Sequence, residues 1–299
     1  MAEPVSREVD VALALDMHLG ESPVWSVARQ TLYWVDITPG HVYAWRPGGD
    51  AAPVRHDLGS SVGCVALTEE GLWAATSPGP TRLRLPSGER RATAVANPEW
   101  DRGRGHRFND GRVDPAGRWL VGTLAAGAGH AALYRLENGE LAPLIEGITI
   151  SNGLAFSPDG RWLYHADSPR RRVRRHAYAP HTGELGEGET WVDLASLGLP
   201  GVPDGAAVDV EGHYWCALYG GGRVVRFSPQ GEPVAEVVLP CPAPTMVAFG
   251  GAALTTLYIT TATQDMDMPA RRRSPLAGSL LALEVTTPGL AEPVLAALP

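Results

Sequence analysis

Four residues able to hold a hard cation recur at matching places along this chain: Glu21, Asn109, Asn152 and Asp204. Each opens a phrase of one grammar, in which a polar residue leads a short apolar run, a tight turn and a second apolar run. The clearest copy is Ser151 to Tyr164, SNGLAFSPDGRWLY; its relatives begin NDGRVDPAGRWLVGT, DGAAVDVEGHYWCAL and ESPVWSVARQTLYWV. Two carboxylates and one or two carboxamides aimed at a common point suit a divalent cation bound through oxygen. The carboxylates supply charge, the Asn carbonyl a neutral ligand, and water the rest. No His or Cys holds any of these places, which argues against a closed structural zinc site. An incomplete protein shell would admit substrate and water, polarise a carbonyl and acidify the bound water.

Asn or Asp before Gly is also ordinary turn vocabulary, and Asn109-Asp110-Gly111, Asn152-Gly153 and Asp204-Gly205 all fit it. Recurrence in register across four copies, with Glu21 preceding no glycine, favours the metal site. Asp114 and Asp209 stand where the fourth copy has Ser157 and read as turn acceptors. His18, His106 and His165 read as satisfied surface or core histidines.

The elements that must position these residues follow from the repeat. Each phrase is a β-hairpin whose turn carries Pro and Gly where a sharp reversal wants them. Weaker copies begin at Gly63 and Thr245, giving six equivalent positions at intervals of 42, 46, 43, 52 and 41 residues. A period in the forties with room for four short strands predicts an all-β, six-bladed β-propeller spanning residues 1–299 as one domain. In such a ring the innermost strands line a central channel, so the six positions converge on its axis and build a central-channel metal site. Trp34, Trp73, Trp119 and Trp215 recur at matching places and predict packing between blades. Closure of the ring falls to Val9–Leu15 with either Leu280–Val285 or Pro293–Leu298. Leu197–Pro203 and Ala262–Pro275 are candidates for a rim over the channel mouth, and Asn97–His106 is a polar loop delivering Arg107 and Asn109.

Composition narrows the function classes. With 44% apolar residues the core is ample, and 35 Gly and 26 Pro suit many tight turns. A net charge of −8 argues against a nucleic-acid partner, whose binding rests on Lys and Arg meeting phosphates. The basic run Arg170–Arg175 reads as a solvated loop and outer-strand edge, and Arg271–Arg273 likewise. Three cysteines, Cys64, Cys216 and Cys241, make no Cys-x-x-Cys pair and an odd count, so no disulfide framework is expected. Cys64 and Cys216 sit in apolar phrases and read as buried small hydrophobes. The N-terminal residues lack the pattern of a signal peptide, and no run approaches the ~18 apolar residues of a membrane span. A cytoplasmic monomer with no membrane partner is the expectation.

The phrases GESPVW (Gly20–Trp25), RFNDGRVDPAGRW (Arg107–Trp119), SNGLAFSPDG (Ser151–Gly160), PDGAAVDVEGHYWCALYGGGRVVRFSP (Pro203–Pro229) and FGG…LYITTA (Phe249–Ala262) resemble the gluconolactonase/regucalcin (senescence marker protein) family, which includes luciferin-regenerating enzymes. The resemblance runs in order through essentially the whole chain. It implies a six-bladed propeller with one divalent metal in the channel, held by Glu21, Asn152 and Asp204. It further implies Asp204 as the general base, Asn109 beside the metal and Arg107 on the substrate, and leaves Asp110 a structural turn role. Oxygen-only sites accept Ca²⁺, Mn²⁺, Mg²⁺, Zn²⁺ or Fe²⁺ according to supply and geometry. The function it implies is hydrolysis of a small-molecule sugar lactone to the aldonic acid. Many lactone-hydrolysing relatives carry acids after the Gly-Thr-Met that follows the third hairpin. Here Gly122-Thr123-Leu124-Ala125-Ala126-Gly127 has none, which shifts the expectation toward a less hydroxylated lactone or a different sugar. A phosphotriester or aryl-ester hydrolase on the same site, and a calcium-binding scaffold without turnover, are the rival readings.

Overall fold

The computed structural model describes residues 3–4, 8–49, 51–100 and 105–296. Six antiparallel sheets, each with a four-stranded core, follow one another in chain order. Their innermost strands are Gly20–Ser26, Val62–Leu67, Arg107–Val113, Ser151–Phe156, Val202–Val208 and Pro244–Gly250, and they number blades 1 to 6. Each first hairpin forms where the repeat places it, and in blades 3 and 5 the predicted acceptors fix its turn. Asp114 Oδ1 accepts from the amides of Ala116 (2.9 Å) and Arg118 (2.8 Å), and Asp209 Oδ1 from those of Glu211 (3.1 Å) and His213 (2.9 Å). Ser157 Oγ plays the same part toward Trp162 N at 3.0 Å. This is a six-bladed propeller, as the repeat predicts.

The blades lock face to face through aromatic side chains. Trp73 and Trp119 meet edge-on between blades 2 and 3 at 6.2 Å, and Trp215 meets Phe249 between blades 5 and 6 at 6.0 Å. Trp34 stacks on Tyr43 of its own blade at 5.1 Å and shares a buried cluster with Tyr258 and Leu280 of blade 6. Cys64, Cys216 and Cys241 are all buried and free.

Ring closure uses the first of the two candidates: Asp10–Leu13 pairs antiparallel with Leu280–Glu284 and becomes the outermost strand of blade 6. Residues 293–296 form no strand, and residues 297–299 lie outside the described residues. Glu3–Pro4 adds a parallel fifth strand to blade 5, a pairing that the repeat does not foresee. The basic run is corrected as well. Arg172–Tyr178 is the third strand of blade 4, not an edge, and its cations meet carboxylates of the fourth strand: Arg172–Asp193 at 2.8 Å and Arg175–Glu189 at 2.6 Å. Arg271–Arg273 end a short helix, Met268–Arg273, capped by Asp267, rather than a loop. No helix among the described residues is long and apolar enough to cross a membrane.

The C-terminal segment seals one end of the channel. After blade 6 the backbone crosses beneath the ring, bonding in turn to Leu254, Val208, Leu67 and Gly117. Its Glu292 pairs with Arg112, whose Nε reaches Leu154 O (2.9 Å) and whose Nη2 reaches Ala206 O (2.6 Å). One guanidinium therefore ties blades 3, 4 and 5 to the tail. Removing one partner of a buried pair leaves the other charge unmatched, at a typical cost of about 3 kcal/mol. Glu292→Ala should accordingly lower Tm by about 5–10 °C in a calorimetric scan; an unchanged Tm would show that the latch holds nothing.

Candidate metal and substrate site

The innermost strands do not run straight through their first residues. Every one of the six slips register there, between Glu21 and Val24, Val62 and Val65, Phe108 and Gly111, Asn152 and Ala155, Pro203 and Ala206, and Pro244 and Met246. A bulge places an unpaired residue in the strand and re-aims its side chain. The Asn-Gly and Asp-Gly pairs are thus strand bulges, not turn tips. In blade 4 the strain falls on a glycine: Gly153 takes a φ of +68°, and a Cβ there would stand 2.5 Å from the Tyr214 hydroxyl; in blade 1 it falls on the buried Ser22, at φ +47°.

As a result Glu21, Asn109, Asn152 and Asp204, all buried, line one cavity of about 100 Å³ with Arg107, at the channel end opposite the C-terminal tail. The remaining wall is Leu19, Leu124, Ile150, Ser168, Val202, Tyr219 and Gln264. Val202 and Gln264 come from the two segments expected to form a rim.

Hydrogen bonds fix how each group faces the cavity. Asn152 Nδ2 donates to Ser168 Oγ at 2.8 Å, and Ser168 Oγ donates in turn to Pro203 O at 2.7 Å. The amide nitrogen is thereby held back and Oδ1 is turned toward Asn109, whose Nδ2 donates to it at 2.7 Å and to Ser151 O at 2.9 Å. Arg107 Nη1 donates to Asn109 Oδ1 at 2.5 Å and to Phe108 O at 3.0 Å. Glu21 Oε2 accepts from Ser22 N at 2.8 Å.

The two carboxyls carry the strain of the site. Glu21 and Asp204 line the same cavity, and burial, with Asp110 adding, pushes Glu21 up to about 8. Burial, then Glu21, then Asp110 raise Asp204 well above the usual carboxylate range. Burial lowers Arg107 to about 10, although both carboxylates favour its charge. Two buried acids in one cavity cannot both ionise unless a cation joins them. An all-oxygen donor set with this charge deficit fits a hard divalent ion.

Asp110 is not a turn residue. It is buried in the bulged strand and accepts from Leu154 N at 2.8 Å, binding blade 3 to blade 4, while Oδ1 has no partner among the described residues. The nearby histidines are held by neighbours. His165 is buried against Ser151 Oγ at 3.0 Å and pushed down to about 3 by burial, and His18 meets Thr38 Oγ1 at 2.9 Å. His106 faces the buried Glu99 at 3.4 Å; the adjoining residues 101–104 of its loop lie outside the described ones. Asp209, Glu211 and His213 also come within ligand distance of one another. There, however, Asp209 Oδ2 already takes Trp215 Nε1 (3.0 Å) and Arg226 Nη2 (2.6 Å). A resident guanidinium makes that cluster an ion-paired turn.

This fold and the convergent acids on its axis define a propeller with a polar channel-mouth site. Residues 19–263 match the SMP-30/Gluconolactonase/LRE-like region family, and the chain belongs to that family. It is 40% identical over 282 residues to a 6-deoxy-6-sulfogluconolactonase of Pseudomonas putida, covering 93% of this chain and 95% of that one. With Pentonolactonase XacC of Haloferax volcanii it shares 35% over 297 residues, 96% and 97% of the two chains. A calcium-binding regucalcin of Agrobacterium tumefaciens superposes with a TM-score of 0.93 at 27% identity, covering 99% of this chain and all of the other.

Proposed function

We propose that this protein is a divalent-metal-dependent hydrolase of a sugar lactone, releasing the aldonic acid. The observation that carries the reading is the meeting of Glu21, Asn152 and Asp204, 183 residues apart at the extremes, on one channel mouth beside Arg107 and Asn109. Family membership and relatives named for lactone hydrolysis at 35% and 40% identity support the reaction class.

Glu21, Asn152 and Asp204 would hold the ion, with Asn152 oriented for it by Ser168. When bound, a divalent cation supplies Lewis acidity for the lactone carbonyl and a lowered pKa for water. Asp204 Oδ takes the proton of the attacking water and returns it to the ring oxygen as the C–O bond opens. Such general-base work typically contributes ~10²–10⁴-fold. Arg107 is pinned through Nη1, so the rest of its guanidinium presents a fixed edge to the lactone. Asn109 holds that edge in place, and a substrate so oriented reaches the reacting geometry with less entropy left to lose. We further propose a monomer acting without nucleic-acid or membrane partners, in keeping with the net charge of −8.

Acid release from a panel of aldonolactones, followed with the protein chelated and then with each cation restored, tests the reading. Activity that disappears on chelation and returns with one cation is expected. Hydrolysis that is undiminished by chelation, or confined to a paraoxon-like ester, would overturn it.

A further inference from the structure

Most polar groups of the cavity are already committed. Ser168 is spent between Asn152 and Pro203, and the Asn109 amide is spent between Arg107, Asn152 and Ser151. Leu19, Leu124, Ile150 and Val202 offer the cavity only aliphatic surface. Leu124 and Ile150 are held together by a backbone bridge and form an aliphatic patch beside Arg107, which is the Cα partner of Leu124. Apart from the free edge of the Arg107 guanidinium, two uncharged groups remain, and both stand on the side of blades 5 and 6. Tyr219 donates its hydroxyl to Asp265 Oδ2 at 2.6 Å, which leaves the phenolic oxygen free to accept. Gln264, next to Asp265 in the chain, is exposed, lines the cavity, and makes no side-chain hydrogen bond among the described residues.

We infer that Gln264, backed by Tyr219, is the specificity-determining residue for substrate hydroxyls, an assignment that rests on the lactonase reading. A primary amide offers a donor and an acceptor side by side, which matches two neighbouring hydroxyls of a sugar ring. The facing wall of Leu124 and Ile150 gives hydroxyls nothing to bond and would strip them of water without replacement, a cost the site charges against oxygen on that edge. The substrate class is therefore a lactone whose neighbouring hydroxyls on one edge are read by Gln264 and Tyr219, while its other edge meets the Arg107 guanidinium and an aliphatic patch.

The test compares wild type with Gln264→Leu on glucono-δ-lactone and on unsubstituted δ-valerolactone. Loss of one neutral hydrogen-bonding group predicts about a tenfold fall in kcat/KM on the hydroxylated lactone, carried by KM, with δ-valerolactone within about twofold. Equal losses on both, or on neither, would overturn the assignment while leaving the lactonase reading intact. Calorimetric titration with gluconolactam, which is not hydrolysed, separates the two ideas. Should wild type cleave neither lactone yet bind the lactam through Gln264, the lactonase reading falls and takes the specificity role with it, leaving Gln264 only a ligand contact. Lactam binding that is absent, or indifferent to Gln264→Leu, sinks the assignment.

Discussion

Asp204→Asn is expected to weaken binding of the divalent ion and, with the ion saturating, to lower kcat/KM for lactone hydrolysis by about 10³-fold. The substitution keeps an oxygen on the axis and removes the proton acceptor, and general-base catalysis is worth ~10²–10⁴-fold. The resemblance to the family implies Asp204 as the base; burial raises Glu21 and Asp204 alike, and each accepts from a backbone amide, Glu21 from Ser22 N at 2.8 Å and Asp204 from Gly205 N. A general base benefits from a pKa near the working pH, and a raised carboxyl moves that way. Steady-state kinetics with the ion saturating would check this. Turnover close to wild type would remove Asp204 from the proton-transfer role.

Glu21→Gln should uncouple stability from metal binding. The Glu21 carboxyl rises from 4.5 to about 8 in the folded, ion-free protein. Between those values the native state holds a proton that the unfolded chain has released, so stability falls as pH rises through that window and levels off above it. Asp204 shifts in the same direction and adds to the slope. The combined loss is on the order of a few kcal/mol. A divalent ion offsets it most at the alkaline end, where both carboxyls must be charged to bind. Thermal melts of chelated protein from pH 5 to 9 should therefore show a falling Tm that added cation restores. In Glu21→Gln the fall should shrink and the cation should give little or no rise. A chelated Tm independent of pH would contradict the account, as would a cation effect that survives the substitution.

Much of this was legible in the sequence because the first two strands of each blade are buried and patterned. Runs such as Thr31–Asp36 and Trp162–Asp167 sit between turns whose Asp, Ser and Gly have one structural use, so their spacing reveals the repeat. Apart from the closing strand at Asp10–Leu13, the fourth strands were not legible, for the opposite reason. Val54–Asp57 and Arg90–Ala92 are mostly exposed, and an exposed edge imposes no alternation on its residues. The same gap let Arg172–Arg175 pass for an edge, since the carboxylates that match those cations lie on the unrecognised neighbouring strand.

The site divides along similar lines. Glu21, Asn109, Asn152 and Asp204 could be found because a ring turns sequence register into convergence. What the register hides is the bulge that makes each side chain reach the axis, which is a property of backbone pairing and not of composition. Ser168 and Gln264 fall outside the repeated phrase, in connections that differ from blade to blade, and Tyr219 ends the second strand of blade 5; only the fold brings them to the cavity. Arg112 and Glu292, 180 positions apart, carried no signal beyond a charge in each of two apolar phrases.

The central claim concerns where an ion sits, and anomalous diffraction from crystals grown with Mn²⁺ tests it most directly. The account predicts one strong peak per chain at the channel mouth, within bonding distance of Glu21, Asn152 and Asp204. A mouth without a peak, or a peak only at Asp209, Glu211 and His213, would contradict it.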